Sequence, residues 1–145
     1  MPDLLEMCAR ELMETAPQIV QAIRVEMRRG RKPDLSIPQF RSLRFVQKNP
    51  DTSLSDLAEY MGLTLPSVSK LIDGLVQQAL ILRQESTIDR RRLTLVLTSE
   101  GESIVDKARS EAQANLAHTM SSLPEDSLQT IHQSLELLHI LFDPN

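Results

Sequence analysis

Apolar positions recur along the chain with a helical period, broken once by a short alternating stretch. From Leu4 to about Arg28, the residues Leu5, Cys8, Leu12, Ile19 and Ile23 fall roughly on one face. Pro17 interrupts that run, so either the helix kinks there or Thr15 caps a second helix with Pro17 in its first turn. "RRGRKPD" reads as a loop ended by Gly30 and Pro33. Ser36 to Lys48 predicts a short helix with the apolar face Ile37, Phe40, Leu43 and Val46.

After the breaker "NPDTS", Ser53 is placed to cap a helix with Asp56 three residues on, and Leu54, Leu57, Ala58 and Met61 follow i, i+3, i+4, i+7. Gly62 ends it. Thr64 is placed to cap the next helix, with Pro66 in the first turn and Val68, Leu71, Ile72 and Leu75 on the inner side. "ALILRQE" and "RLTLVLT" then alternate like strands, and the polar "STIDR" between them makes a hairpin with Leu93, Leu95 and Leu97 on one face. Thr98 or Ser99 starts a long helix, with Ser99 and Glu102 at capping-box spacing and Ile104, Ala108, Ala112, Leu116 and Met120 inward. Pro124, Glu125 and Asp126 suit the opening of a last helix. Its Leu128, Ile131, Leu135, Leu138 and Phe142 step by three and four, a seam that requires another helix alongside.

The fold class expected is mainly α with a small β-wing. A winged helix-turn-helix lobe over residues 33–98 is flanked by N- and C-terminal dimerisation helices, residues 1–32 and 99–145, in a single domain. The two terminal segments are expected to pack together across a two-fold axis.

Composition fits a globular chain: 41% hydrophobic and 25% charged over 145 residues. No apolar run is long enough for a membrane span. The N-terminus carries acids and no basic region, so it does not read as a secretory signal. The single cysteine, Cys8, forms no internal disulfide and points to a reducing cytoplasm. The net charge of −4 hides an asymmetry. Residues 24–44 carry seven basic and two acidic side chains, residues 63–98 five and three, and residues 99–145 two and eight. Such segregation turns one positive surface toward an anionic partner, although solvated helix faces produce the same count.

Projected at about 100° per residue, the helix after Thr64 turns Pro66, Lys70, Asp73 and Gln77 away from its apolar side, with Ser67, Ser69 and Gly74 on the flanks. A slender polar face fits a major groove roughly 12 Å wide. Thr64, Ser67 and Ser69 hydroxyls can bond phosphates or base edges, and Lys70 can reach guanine or phosphate. Gly74 either allows close backbone approach or is simply tolerated. An outward Asp73 repels phosphate and suits only a cytosine amino group or a partner within the protein. At the hairpin tip stand Arg90, Arg91 and Arg92, where guanidinium groups are favoured in a narrow minor groove, with Asp89 able to orient one of them by a bidentate pair. Leu93, Leu95 and Leu97 anchor the wing beneath them.

These residues resemble a known family. "TLPSVSKLIDGLVQQALILR" followed by "DRRRLTLVLTSEG" is similar to the recognition helix and wing of the MarR (multiple antibiotic resistance regulator) family. The matching features are Asp-Arg-Arg, the nine-residue step from Asp89 to Thr98, and the closing Leu-Thr-x-x-Gly. The motif likeness covers roughly residues 53–101. It implies a homodimeric transcription factor, usually a repressor, on a palindromic double-stranded DNA operator. It also implies that Arg91 or Arg90 enters the minor groove, steadied by Asp89. Where the family usually has glycine before the first wing strand, this chain has Ala79. Many relatives release DNA on binding a small anionic aromatic effector between the dimer helices and the DNA-binding lobe. Arg24, Arg28, Arg41 and Arg44 are this chain's candidate anion partners.

The same chain carries residues that raise other functions. Cys8 raises a thiol-based redox-sensing regulator, but its phase with Leu5 and Leu12 predicts burial, where a thiol acts as a small hydrophobe. His132, Glu136 and His139 share one helix face and could present zinc ligands, yet no other Cys or His cluster supports them, so no metal or cofactor is expected. No phosphate loop, nucleophile elbow or HExxH occurs, so no enzyme is expected. A winged helix used only for protein contacts has no need of the arginine tip.

Overall fold

Three hydroxyl side chains start the central helices of the computed structural model, which describes residues 1–30 and 35–143. Ser36 caps α2 (Ile37–Lys48), with Gln39 closing a capping box. Ser53 caps α3 (Leu54–Met61) and Asp56 closes its box. Thr64 caps α4 (Leu65–Gln77), its Oγ1 accepting from the Ser67 amide at 3.3 Å. Each cap satisfies amide groups that the first turn leaves without partners. Gly62 ends α3 in the left-handed region, φ 66°, which costs glycine little.

Before these comes α1 (Leu4–Gly30), one unbroken helix with Pro17 inside it. The second helix start at Thr15 is therefore not found. Pro17 removes one backbone hydrogen bond, and a 27-residue helix absorbs that loss. Arg28, Arg29 and Gly30 of the expected loop belong to α1, and its remaining residues, 31–34 with Pro33, lie outside the described residues.

The wing is a two-stranded antiparallel sheet of β1 (Ile81–Glu85) and β2 (Leu93–Leu97), with Ile81 opposite Leu97 and Glu85 opposite Leu93. The turn before α3 adds a single bridge, Leu95 N–H donating to the Thr52 carbonyl at 2.8 Å. Two further helices follow, α5 (Ser99–Thr119) and α6 (Glu125–Phe142).

The core gathers side chains from every central element: Leu35, Leu43, Val46, Leu57, Val68, Ile72, Leu75, Leu80, Ile81, Leu95 and Val105 among others. Each fully buried aliphatic side chain contributes about 1.5–3 kcal/mol. Val105, fully buried, was not among the inward positions expected for α5, whereas the neighbouring Ile104 is only partly covered. Ile37, expected on the inner face of α2, is exposed. In the wing, Leu95 and Leu97 are 3% and 8% exposed but Leu93 is 62% exposed, so two leucines anchor the strand rather than three. The alternation ends where β2 leaves the body.

One junction explains the closing Leu-Thr-x-x-Gly. After α4, Ala79 adopts φ 59°, its amide donating to the Val76 carbonyl at 3.0 Å and the Leu80 amide to that of Leu75 at 3.0 Å. This is a Schellman ending with alanine in the left-handed seat. Thr98 then ties three segments together. Its hydroxyl donates to the Ala79 carbonyl at 2.7 Å and accepts from the Gly101 amide at 3.0 Å, while its amide donates to the Leu80 carbonyl at 3.0 Å. Thr98, not Ser99, therefore caps α5. A Cβ on Gly101 would collide with the backbone carbonyl of Leu80, so only glycine lets the helix start this close.

Residues Met1–Ala112 form one compact unit and the residues from Gln113 on a second, the division falling within α5. In the second unit α6 has no fully buried residue: of the seam, Leu128, Leu135 and Phe142 are exposed and Ile131 and Leu138 are half-buried. Most of α1 is likewise exposed, including Leu5, Ile19 and Ile23. Cys8 is exposed too, against the burial expected from its phase, while Leu12 of the same stripe is half-buried.

Candidate nucleic-acid interface

The expected reading face lies in the first two turns of α4. Thr64, Pro66, Ser67 and Lys70 are exposed and Ser69 is half-buried, while Val68, Ile72 and Leu75 face the core. The Thr64 hydroxyl also donates to Ser67 Oγ at 2.9 Å, so these two polar groups are held as a pair. The outward Asp73 has a partner within the protein: Arg83 Nη2 on β1 donates to its Oδ1 at 2.5 Å. That pair neutralises the one carboxylate on the face and ties the wing strand to the helix. Gly74 is a point of close approach, since a Cβ there would come within 2.9 Å of Gln39 Nε2. The same Gln39 closes the cap of α2, so α2 and α4 meet where one side chain serves both.

The wing turn is organised by Ser86. This side chain, 2% exposed, accepts at Oγ from the amides of Ile88 and Asp89, both at 3.1 Å, and donates to Asp51 Oδ1 at 2.6 Å. Its own amide donates to the Arg92 carbonyl at 2.8 Å. Asp89 Oδ1 accepts from the backbone amide of Arg91 at 3.0 Å. The bidentate pair expected between Asp89 and a wing guanidinium is thus replaced by a turn that the aspartate folds on itself. Arg90 and Arg91 are exposed, and their guanidinium groups form no ion pair among the described residues. Arg92 is different. Its Nη2 donates to Asp56 Oδ2 on α3, and its Nη1 lies 4.0 Å from Asp51 Oδ2. Asp51 and Asp56 took no part in the sequence reading of the wing, being distant in the chain. Ile88, at the tip and 82% exposed, was also not singled out.

Arg24, Arg28, Arg41 and Arg44, widely spaced in sequence, line one cleft of about 260 Å³ with Ile23, Met27, Phe40 and Tyr60. Arg109 of α5 joins them, a residue that the sequence reading missed because nothing local marks it. The Arg41 guanidinium sits over the Tyr60 ring at 5.8 Å, and that ring stacks on Phe45 with centroids 4.2 Å apart. Burial and then the neighbouring Arg109 lower the pKa of Arg44, while Asp106 acts in the opposite direction. Gln47 bridges them, accepting from Arg44 Nη1 at 2.7 Å and donating to Asp106 Oδ1 at 2.8 Å. On α6, His132 Nδ1 lies 3.8 Å from Glu136, and no group of three metal-ligating side chains occurs among the described residues.

Comparison with known proteins decides the family. The MarR family model matches residues 35–93. The HTH-type transcriptional repressor MdtR of Bacillus subtilis is 31% identical over 121 residues, 82% of this chain and 78% of that protein. The chain belongs to the MarR family. A MarR family protein from Bacillus stearothermophilus has the same fold, with a TM-score of 0.79 at 21% identity, covering 95% of this chain and 97% of that one. A mutant of S. aureus MepR bound to an oligodeoxyribonucleotide also shares the fold, with a TM-score of 0.62 at 21% identity over 92% of this chain and 96% of that one. As a MarR family member the chain is a transcriptional regulator, mainly helical with a two-stranded wing. Among the described residues no helix is long and apolar enough to cross a membrane.

Proposed function

We propose that the chain is a homodimeric repressor that binds a palindromic double-stranded DNA operator, placing the start of α4 in the major groove and the wing tip in the minor groove. The observation carrying this reading is the pair Arg90 and Arg91, exposed and free of ion pairs among the described residues, on a turn moored by the buried Ser86. Free guanidinium groups on a fixed turn suit the concentrated negative potential of a narrow groove. Pro66, Ser67, Ser69 and Lys70, with Thr64 at the cap, form the slender polar face for base and phosphate contact.

The dimer is supported by apolar surface without cover. On α6, Leu135 and Phe142 are 53% and 71% exposed, and α1 carries Leu4, Leu5 and Met13 on its outside. A second copy would bury these stripes, with residues 1–32 and 99–145 as the dimerisation segments and residues 33–98 as the DNA-binding lobe. Regulation by a small anionic or aromatic effector is supported by the cleft holding Arg24, Arg28, Arg41, Arg44 and Arg109 over apolar walls. Cys8, exposed on α1, favours the thiol-based alternative; peroxide release of DNA that survives alkylation of Cys8 would remove it.

The direct test is titration of labelled duplex DNA at several salt concentrations. Affinity falling steeply as salt rises is expected from phosphate contacts. Absence of binding at low salt would reject the reading.

A further inference from the structure

We infer that Arg92 is a positioning residue rather than a DNA contact: with Asp51, Asp56 and Ser86 it locks the wing turn onto the start of α3 and so sets where Arg90 and Arg91 reach. The inference rests on the proposed DNA binding, and it divides three consecutive arginines of identical chemistry into two roles.

The division follows from the partners. Arg92 turns back across the fold to a carboxylate 36 residues earlier, Asp56 Oδ2, and lies within 4.0 Å of a second, Asp51 Oδ2. Only a planar fork with several donors spans two carboxylates in this way. Neither acid is incidental to its own element. Asp56 closes the α3 capping box, its Oδ2 accepting from the Ser53 amide at 3.0 Å. Asp51 sits in the left-handed region at φ 65° in the turn before α3, and its Oδ1 accepts from the buried Ser86 hydroxyl at 2.6 Å. Ser86 in turn holds the amides of Ile88 and Asp89 and donates its own amide to the Arg92 carbonyl. The circuit therefore runs from the first turn of α3, through Arg92, into the backbone of the tip, and back through Ser86 and Asp51. Without Arg92, Asp51 and Asp56 would lose the cation they share, and the tip would lose its tie to the helix-turn-helix.

The lock predicts an outcome that simple charge does not. Removing a carboxylate from a DNA-binding surface strengthens binding on charge alone. Asp56→Asn keeps an acceptor for the Ser53 amide but frees Arg92, so the lock predicts weaker binding, by about tenfold. Arg92→Ala should weaken binding by a similar factor, and the double variant should lose no more than the worse single one, because the two residues act as one unit. The slope of log affinity against log salt should stay at the wild-type value in Arg92→Ala. In Arg91→Ala it should fall by about one, the share of one cation withdrawn from the DNA.

Labelled duplex titrations of wild type, Arg91→Ala, Arg92→Ala, Asp56→Asn and the double variant give these numbers. Amide exchange at Ile88 and Asp89, measured without DNA, should quicken in Arg92→Ala and Asp56→Asn while the core amides stay protected. Arg92→Lys, which keeps the charge without the fork, should fall between wild type and Arg92→Ala and serves if the alanine variant does not fold. An Arg92→Ala slope reduced as in Arg91→Ala, tighter binding by Asp56→Asn, or wild-type exchange at the tip in both variants would overturn the lock. A wild-type chain that binds no duplex would instead count against the proposed function, and the exchange data would then judge the lock alone.

Discussion

Asp73 on α4 and Arg83 on β1 are joined at 2.5 Å, Oδ1 to Nη2, on the outward side of the helix proposed to read DNA. A bare carboxylate there would repel phosphate. Paired, it becomes a brace between helix and wing. Arg83→Ala should change stability by less than about 1 kcal/mol, since Asp73 is exposed and solvent screens the pair. It should weaken duplex binding, and adding Asp73→Asn should restore much of the loss. Titration of both variants against one labelled duplex checks this. Full binding by Arg83→Ala alone would show that the carboxylate does not face the DNA.

The α4–β1 junction holds one residue that the backbone disfavours and one that it requires. Ala79 occupies φ 59°, where an L side chain costs about 1–2 kcal/mol. Ala79→Gly should stabilise the chain by about 0.5–1 kcal/mol, the relief being partly offset by a freer unfolded chain. Gly101→Ala should destabilise it by about 2–3 kcal/mol, because the new methyl meets the Leu80 carbonyl, which Thr98 also holds. Urea melts of the two variants should move in opposite directions.

Much of this was legible beforehand, and the reason is locality. Ser36, Ser53 and Thr64 announce their helices because a cap and its amide lie within one turn. The Arg92–Asp56 contact was not legible, since 36 residues separate partners that only the finished fold brings together. Arg109 in the cleft escaped for the same reason. Cys8 was misplaced by a different error. Its helical phase marks an apolar stripe, but phase alone does not say what covers it, and Cys8 is exposed. Pro17 left open a kink or a second helix start at Thr15, and the helix of α1 runs through it, which removes the second start.

Acid should loosen the start of α3. The backbone amide of Ser53 is the largest influence holding the Asp56 carboxyl below its ordinary pKa; burial opposes it, and the Ser53 hydroxyl and Arg92 add to the lowering. A depressed carboxyl contributes stability that is complete above its unfolded pKa of about 3.9 and is lost as pH falls through the folded value. Asp56→Asn should therefore flatten the acid limb of a stability-against-pH curve below about pH 4. An unchanged limb would mean that the carboxylate contributes nothing there.

The partly exposed seam of α6 makes a prediction about assembly. Leu135→Glu places a charge in the surface proposed to meet a second copy, and an unpaired buried charge is strongly unfavourable. Sedimentation should find the wild type dimeric and the variant monomeric or unfolded. A variant that remains dimeric would move the interface elsewhere.

The proposed mode of binding requires a guanidinium group on the wing tip to enter DNA. The measurement that tests it most directly is the affinity of wild type and Arg91→Ala for a duplex selected from a random pool, with folding checked by circular dichroism. Arg91→Ala should bind about 1–3 kcal/mol more weakly with its fold intact. Equal binding curves for the two proteins would mean that the Arg91 guanidinium stays out of the groove.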